Sequence, residues 1–228
     1  MDILIVRHEE TMHLLEAVDA LGDKLLLCGD ECEGIRHDRN AGVLPRSLFL
    51  ERPDAEGRGC LAVGLNPGVS RPAERAYFRE AGPTYENTKK YRMRLNDIPY
   101  FKRTRQVIDQ LGLAGPILWS NLAKCENGPD RKELPPLQTL RHCTTKHLRH
   151  ELAESPVEWI VLGIGWEAYR ALAYLLPARG VIGIPHPTGG FRDFRKLFSD
   201  GVLLEGLRKR AAEAMRSIEP AAVWLGRG

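Results

Sequence analysis

The 228-residue chain predicts an α/β fold, a three-layer α/β/α sandwich around a central four-stranded, mostly parallel sheet, on three observations. Four short apolar runs are bounded by glycine, proline or polar residues, segments of helical spacing alternate with them, and two of the runs end in tight turns that carry a polar side chain. Strands alternating with helices produce parallel sheets covered on both faces. Residues 1–228 contain no linker rich in Ser, Gly or Pro, which predicts a single domain.

The elements follow in order. Thr11 to Ala20 has helical spacing, with Leu14, Leu15 and Val18 on one side and Gly22 placed to close the helix. An irregular stretch holding Cys28 and Cys32 runs to Gly57-Arg58-Gly59. Cys60 to Leu65 is the first strand, and Asn66-Pro67-Gly68 turns the chain out of it because proline fixes φ and glycine permits positive φ. Pro99 starts a helix through Leu111 with Gly112 at its end, and Ile117 to Leu122 is the second strand. Pro135 and Pro136 open a helix to Glu154 with Leu137, Leu140, Thr144, Leu148 and Leu152 on one face. Trp159 to Gly163 is the third strand, Trp166 to Leu175 a helix, Val181 to Ile184 the fourth strand and Leu203 to Met215 the last helix.

A net charge of +3 selects no partner, but its distribution is uneven. Between Arg71 and Arg105, arginines and lysines interleave with Tyr77, Phe78, Tyr85, Tyr91, Tyr100 and Phe101. Basic residues among aromatics make a phosphate-contacting surface with stacking platforms. No apolar run approaches membrane-spanning length, and Met1 to Val6 lacks the basic start of a signal peptide. The expectation is a soluble cytoplasmic monomer with no membrane partner, nucleoid-associated in a bacterium.

Three strings sit at strand ends in order: Gly64-Leu65-Asn66-Pro67-Gly68, Ser120-Asn121-Leu122-Ala123-Lys124-Cys125 and His186-Pro187-Thr188-Gly189. Ligands of open α/β sheets bind at the carboxyl ends of the strands. Taken together the strings resemble the uracil-DNA glycosylase superfamily over most of the chain, from Cys28 to about Arg195. The resemblance implies a hydrolase that cleaves the N-glycosidic bond of uracil or a related deaminated base in DNA, as in base excision repair. In that chemistry the base leaves as an anion while water attacks the sugar. An amide is a poor base, so Asn66 would position the water. His186 would donate a hydrogen bond to the departing base, and Asn121, with donor and acceptor on one amide, would read uracil.

The resemblance also implies a base pocket at Gly64 and Leu65 with a stacking ring after the first motif, Phe78 or Tyr77, with Phe101 or Tyr85 as alternatives. The loop after His186 would meet DNA through Pro187, Gly189, a wedge at Phe191 and a phosphate contact at Arg192. Cys28, Cys32, Cys125 and Cys143 resemble the four-cysteine frame of the family-four glycosylases, which implies a [4Fe-4S] cluster, with zinc as the other occupant. The first motif resembles instead the mismatch-specific and single-strand-selective groups, because it carries Asn66 where family-four members usually carry Glu. A different class of reading is a DNA-binding, damage-sensing member of the same fold that hydrolyses slowly or not at all.

Overall fold

A computed structural model describes residues 2–128, 134–217, 219 and 221–226. In chain order they form α1 (Asp2–Leu26), β1 (Ile35–Arg36), β2 (Phe49–Glu51), β3 (Cys60–Gly64), α2 (Pro72–Ala81), α3 (Tyr85–Met93), α4 (Pro99–Gln110), β4 (Ile117–Asn121) and β5 (Glu126–Asn127). Then come α5 (Leu137–Cys143), a π-helical turn (Thr144–Leu148), α6 (Arg149–Glu154), β6 (Ile160–Ile164), α7 (Trp166–Leu175), β7 (Val181–Ile184), α8 (Phe191–Arg195), β8 (Phe198–Ser199), β9 (Val202–Leu203), α9 (Glu205–Arg216) and β10 (Ala222–Trp224). Two compact units share them: residues 1–53, 66–94 and 119–156 make the first, and residues 54–65, 95–118 and 157–228 the second.

The second unit is built on parallel strands in the order β10-β7-β6-β3, with register pairs such as Val63 with Gly163, Ile164 with Ile184 and Trp224 with Gly183. Every residue of β3, β6 and β7 is buried, which is why these strands read as continuous apolar runs. All four predicted strands are present, and β2 and β10 make the sheet six-stranded rather than four-stranded. Both additions are three-residue segments, too short to show a period. Helix α7 packs on β6 and β7, and α9 on β10.

In the first unit α1 packs against α3, α6 and β2, and a two-stranded antiparallel ladder pairs Ile35 with Asn127 and Arg36 with Glu126. The predicted helix from Pro135 to Glu154 is broken: a π-helical turn interrupts it directly after Cys143. The extra residue in that turn rotates the apolar stripe, so Leu137 at the stripe's start stands 81% exposed while Leu148 is fully buried. Among the described residues no helix is long and apolar enough to cross a membrane.

Candidate functional site

In the second unit the carboxyl ends of β3, β6 and β7 open on a cavity of about 670 Å³ whose lining includes Leu65, Gly165, Trp166, His186, Gly189 and Trp224. Pairing in parallel register delivers all three strand ends to one edge. Gly165 follows β6 with φ +93, a left-handed conformation that a side chain would strain, and this turn lets α7 begin at the cavity. The predicted residues Leu65, His186 and Gly189 therefore share one cavity wall.

The surroundings of His186 decide which ring nitrogen carries the proton. Its Nδ1 accepts from the backbone N–H of Gly189 at 2.8 Å and of Thr188 at 3.3 Å. A nitrogen that accepts cannot also bear a hydrogen, so the neutral ring is protonated at Nε2. Burial lowers the pKa of the imidazole from its ordinary value of 6.5. His186 is thus held neutral, as an Nε2–H donor, and protonating Nδ1 would break two backbone hydrogen bonds. The Tyr100 ring lies 5.4 Å from the imidazole.

Asn66 and Asn121 belong to the first unit, both partly exposed. The side-chain N–H of Asn66 donates to Asn127 Oδ1 at 2.8 Å, which turns the Asn66 Oδ1 into the atom available to accept from water. The loop following Asn66 is fastened by Glu126, a residue the sequence reading did not single out. Its fully buried carboxylate accepts from Arg36 Nε and Nη2 at 3.1 and 2.9 Å, from Arg46 and Arg75 at 3.4 Å, and from the Ser70 backbone N–H at 2.5 Å. Arg46 also donates to Gly68 O at 2.5 Å and pairs with Glu74 at 3.0 Å. Burial raises the Glu126 pKa, but the Ser70 hydrogen bonds and the Arg46 and Arg36 cations outweigh it and hold the carboxyl below its ordinary value. No local sequence signal marks this hub: its arginines stand 90, 80 and 51 residues before Glu126.

Behind Asn121, Lys124 is 1% exposed and its Nζ contacts both Glu151 carboxylate oxygens at 2.8 Å and Ser120 Oγ at 2.5 Å. Ser120 Oγ in turn donates to Glu151. This closed triad anchors the end of β4, whose last residue is Asn121, and the turn that leads on to Cys125.

The four predicted cysteines all lie in the first unit as free thiols. Cys125 and Cys143 share a buried cluster with Ile35 and Ala123, and Cys32 packs against it. Cys143 Sγ accepts from the Lys124 backbone N–H at 3.3 Å. Burial pushes the Cys125 thiol well up, and the nearby Cys143, Cys28 and Cys32 add to the shift. Burial likewise pushes Cys143 up to about 11, with Lys124 opposing. Thiols that crowd and disfavour one another's charge in an apolar setting are the donor set that a multivalent cation or cluster neutralises. Cys32, Cys125 and Cys143 are such donors, and Cys28 is near enough to raise the pKa of Cys32 and Cys125, although among the described residues no three His, Cys, Asp or Glu side chains stand in a metal-holding arrangement.

The basic, aromatic stretch resolves into α2, α3 and α4. Several of its cations are engaged internally: Arg75 with Glu126, Lys89 with Asp19 at 2.8 Å, Arg92 over the Phe49 and Trp119 rings, and Arg103 with Pro187 O at 2.7 Å. Arg71, Arg79, Arg94 and Lys102 are exposed. Phe78 is 3% exposed in a cluster with Tyr77 and Tyr91, and Tyr85 is 4% exposed with its hydroxyl donating to Leu48 O. Pro187 is buried, Arg192 exposed, and Phe191 begins α8 with the Arg103 guanidinium 3.8 Å from its ring centre. No protein-family model matches the chain, and no curated protein matches it in sequence.

Proposed function

We propose that the protein is a DNA glycosylase that hydrolyses the N-glycosidic bond of uracil or a related deaminated base. The observation that carries the proposal is His186: a neutral imidazole, fixed as an Nε2–H donor by two backbone N–H groups, on the wall of a cavity at the carboxyl end of a parallel sheet. Such a donor strengthens its bond as negative charge grows on the leaving base, so it stabilises the transition state more than the bound substrate. Asn66, with its N–H held by Asn127, accepts from the attacking water and aims it, and Asn121 pairs with the base edge. The exposed cations of α2 to α4 serve the phosphates of a DNA partner. Cys28, Cys32, Cys125 and Cys143 hold a [4Fe-4S] cluster, with zinc as the alternative, and that group supplies structural cross-linking of the first unit. The expected site of action is the cytoplasm or nucleoid, and the expected form a monomer.

The test is a base-release panel on oligonucleotides containing uracil, hypoxanthine or xanthine, with wild type, Asn66→Ala and His186→Ala. Abasic product from wild type, with each variant slowed by about 100-fold or more, is expected. Because the neutral imidazole is the working form and its pKa is lowered, kcat/KM should be flat through neutral pH and fall only on the acid side of 6.5. Binding without abasic product from any substrate would leave the damage-sensing reading in its place. Activity untouched by both substitutions would reject the site. As isolated, the protein should be brown with acid-labile sulfide; a colourless protein loaded stoichiometrically with zinc would replace the cluster by the metal.

A further inference from the structure

We infer that Trp166 is the platform on which a planar nucleobase lies in the His186 cavity, an inference that rests on the proposed base-cleaving function. Trp166 is 44% exposed, unusual for the largest apolar side chain, and it lines the same cavity as His186. Its ring is braced rather than loose. Trp224 meets it edge to face at 5.1 Å, Tyr169 lies 5.7 Å away, and Tyr169 and Trp224 are themselves 5.3 Å apart. The Arg170 guanidinium lies over the ring at 5.8 Å, and an indole braced in this way and 44% exposed binds a flat ligand with little ordering cost.

Charge in the cavity selects a base over a phosphate. Glu167 and Asp193 both line it, and carboxylates repel a phosphate while accepting from the N–H groups of a neutral base. Asp193 is paired with Lys196, which leaves Glu167 as the acid of the pair for such a role. The volume of about 670 Å³ lies in the range of about 300–1,000 Å³ usual for small-molecule sites. Of the rings the sequence offered for stacking, Phe78 and Tyr85 are buried within the first unit and present no open face.

The test uses the full chain and an oligonucleotide carrying 2′-fluoro-2′-deoxyuridine, which resists hydrolysis. Trp119 and Trp159 are buried, so a fluorescence change on binding reports mainly on Trp166 and Trp224. Wild type should show a change that Trp166→Phe largely removes, with affinity nearly kept. Trp166→Ala should weaken binding by about 10- to 100-fold, yet bind an oligonucleotide with a tetrahydrofuran abasic site as wild type does. Equal binding of the uracil analogue by Trp166→Ala and wild type would overturn the inference while leaving base release intact. If wild type releases no base at all, titration of free uracil and hypoxanthine against wild type and Trp166→Phe decides the stacking role by itself. Should Trp166→Ala fail to fold, Trp166→Leu carries the same comparison.

Discussion

Under the proposed function, Glu126→Ala should lower kcat for base release by about 100-fold with KM little changed, because the substitution frees the loop that carries Asn66 and leaves in place the exposed cations proposed to meet DNA. The carboxylate ties that loop at two points, directly through the Ser70 N–H and indirectly through Arg46, which holds Gly68 O. Without it both ties loosen, and a displacement of about 1 Å at Asn66, the amide proposed to position water, is enough for a loss of that size. The chain should nevertheless fold. Arg36 and Arg75 are about a third exposed, at 32% and 31%, and can turn to solvent, while Arg46 keeps Glu74 at 3.0 Å. Glu126→Gln retains an oxygen for Ser70 but not the charge for the guanidinium groups, and should fall between. The decisive comparison is the double variant: if Glu126 acts through Asn66, Glu126→Ala costs nothing further in an Asn66→Ala background. Multiplying losses, or a rise in KM with kcat intact, would reject the positioning role. Amide exchange at Ser70, faster in Glu126→Ala, reports the loosened loop independently of activity.

The residues that made the fold legible were those whose neighbours in space are also neighbours in pattern. Cys60–Gly64, Ile117–Asn121, Ile160–Ile164 and Val181–Ile184 are nearly wholly buried, and burial on both faces writes itself as an apolar run. Long-range constraints leave no such trace. Gly22 has the signature of a helix terminator, yet α1 continues to Leu26, because the glycine is there to admit the Tyr85 ring: a Cβ at that position would collide with it. The site divides in the same way. Asn66, Asn121 and His186 announce themselves as polar groups at strand ends, and the sequence brings His186 and Leu65 to one cavity through strand register alone. The tautomer of His186, the partner of Asn66 and the hub at Glu126 depend on backbone N–H groups and arginines distant in sequence, which no local period encodes.

That distinction sets the expectation for Lys124, whose ammonium and partner carboxylate are 1% and 2% exposed. Lys124→Met should destabilise the protein by about 3–5 kcal/mol, because it strands the Glu151 carboxylate away from water with only the Ser120 hydroxyl left to it. For a chain of this size that is a fall in Tm of about 6–20 °C, larger than any substitution among the Glu126 arginines should give. The pair contributes little to stability beyond satisfying itself, since the desolvation of two charges offsets most of their attraction. Removing both charges, in Lys124→Met with Glu151→Leu, should therefore recover most of the loss even though two polar groups are gone. Thermal melts of the single and double variants, each at the same metal content, separate this from a simple packing defect: a double variant no more stable than Lys124→Met would show that shape rather than charge holds the end of β4. Recovery of stability need not mean recovery of function. Ser120 would lose both of its buried partners, and Asn121, next to it on the strand, would lose the fixed backbone that its proposed reading of a base needs. A double variant with restored Tm and impaired discrimination between uracil and cytosine is the expected outcome, which would assign the triad to placement of the amide rather than to the strength of the fold.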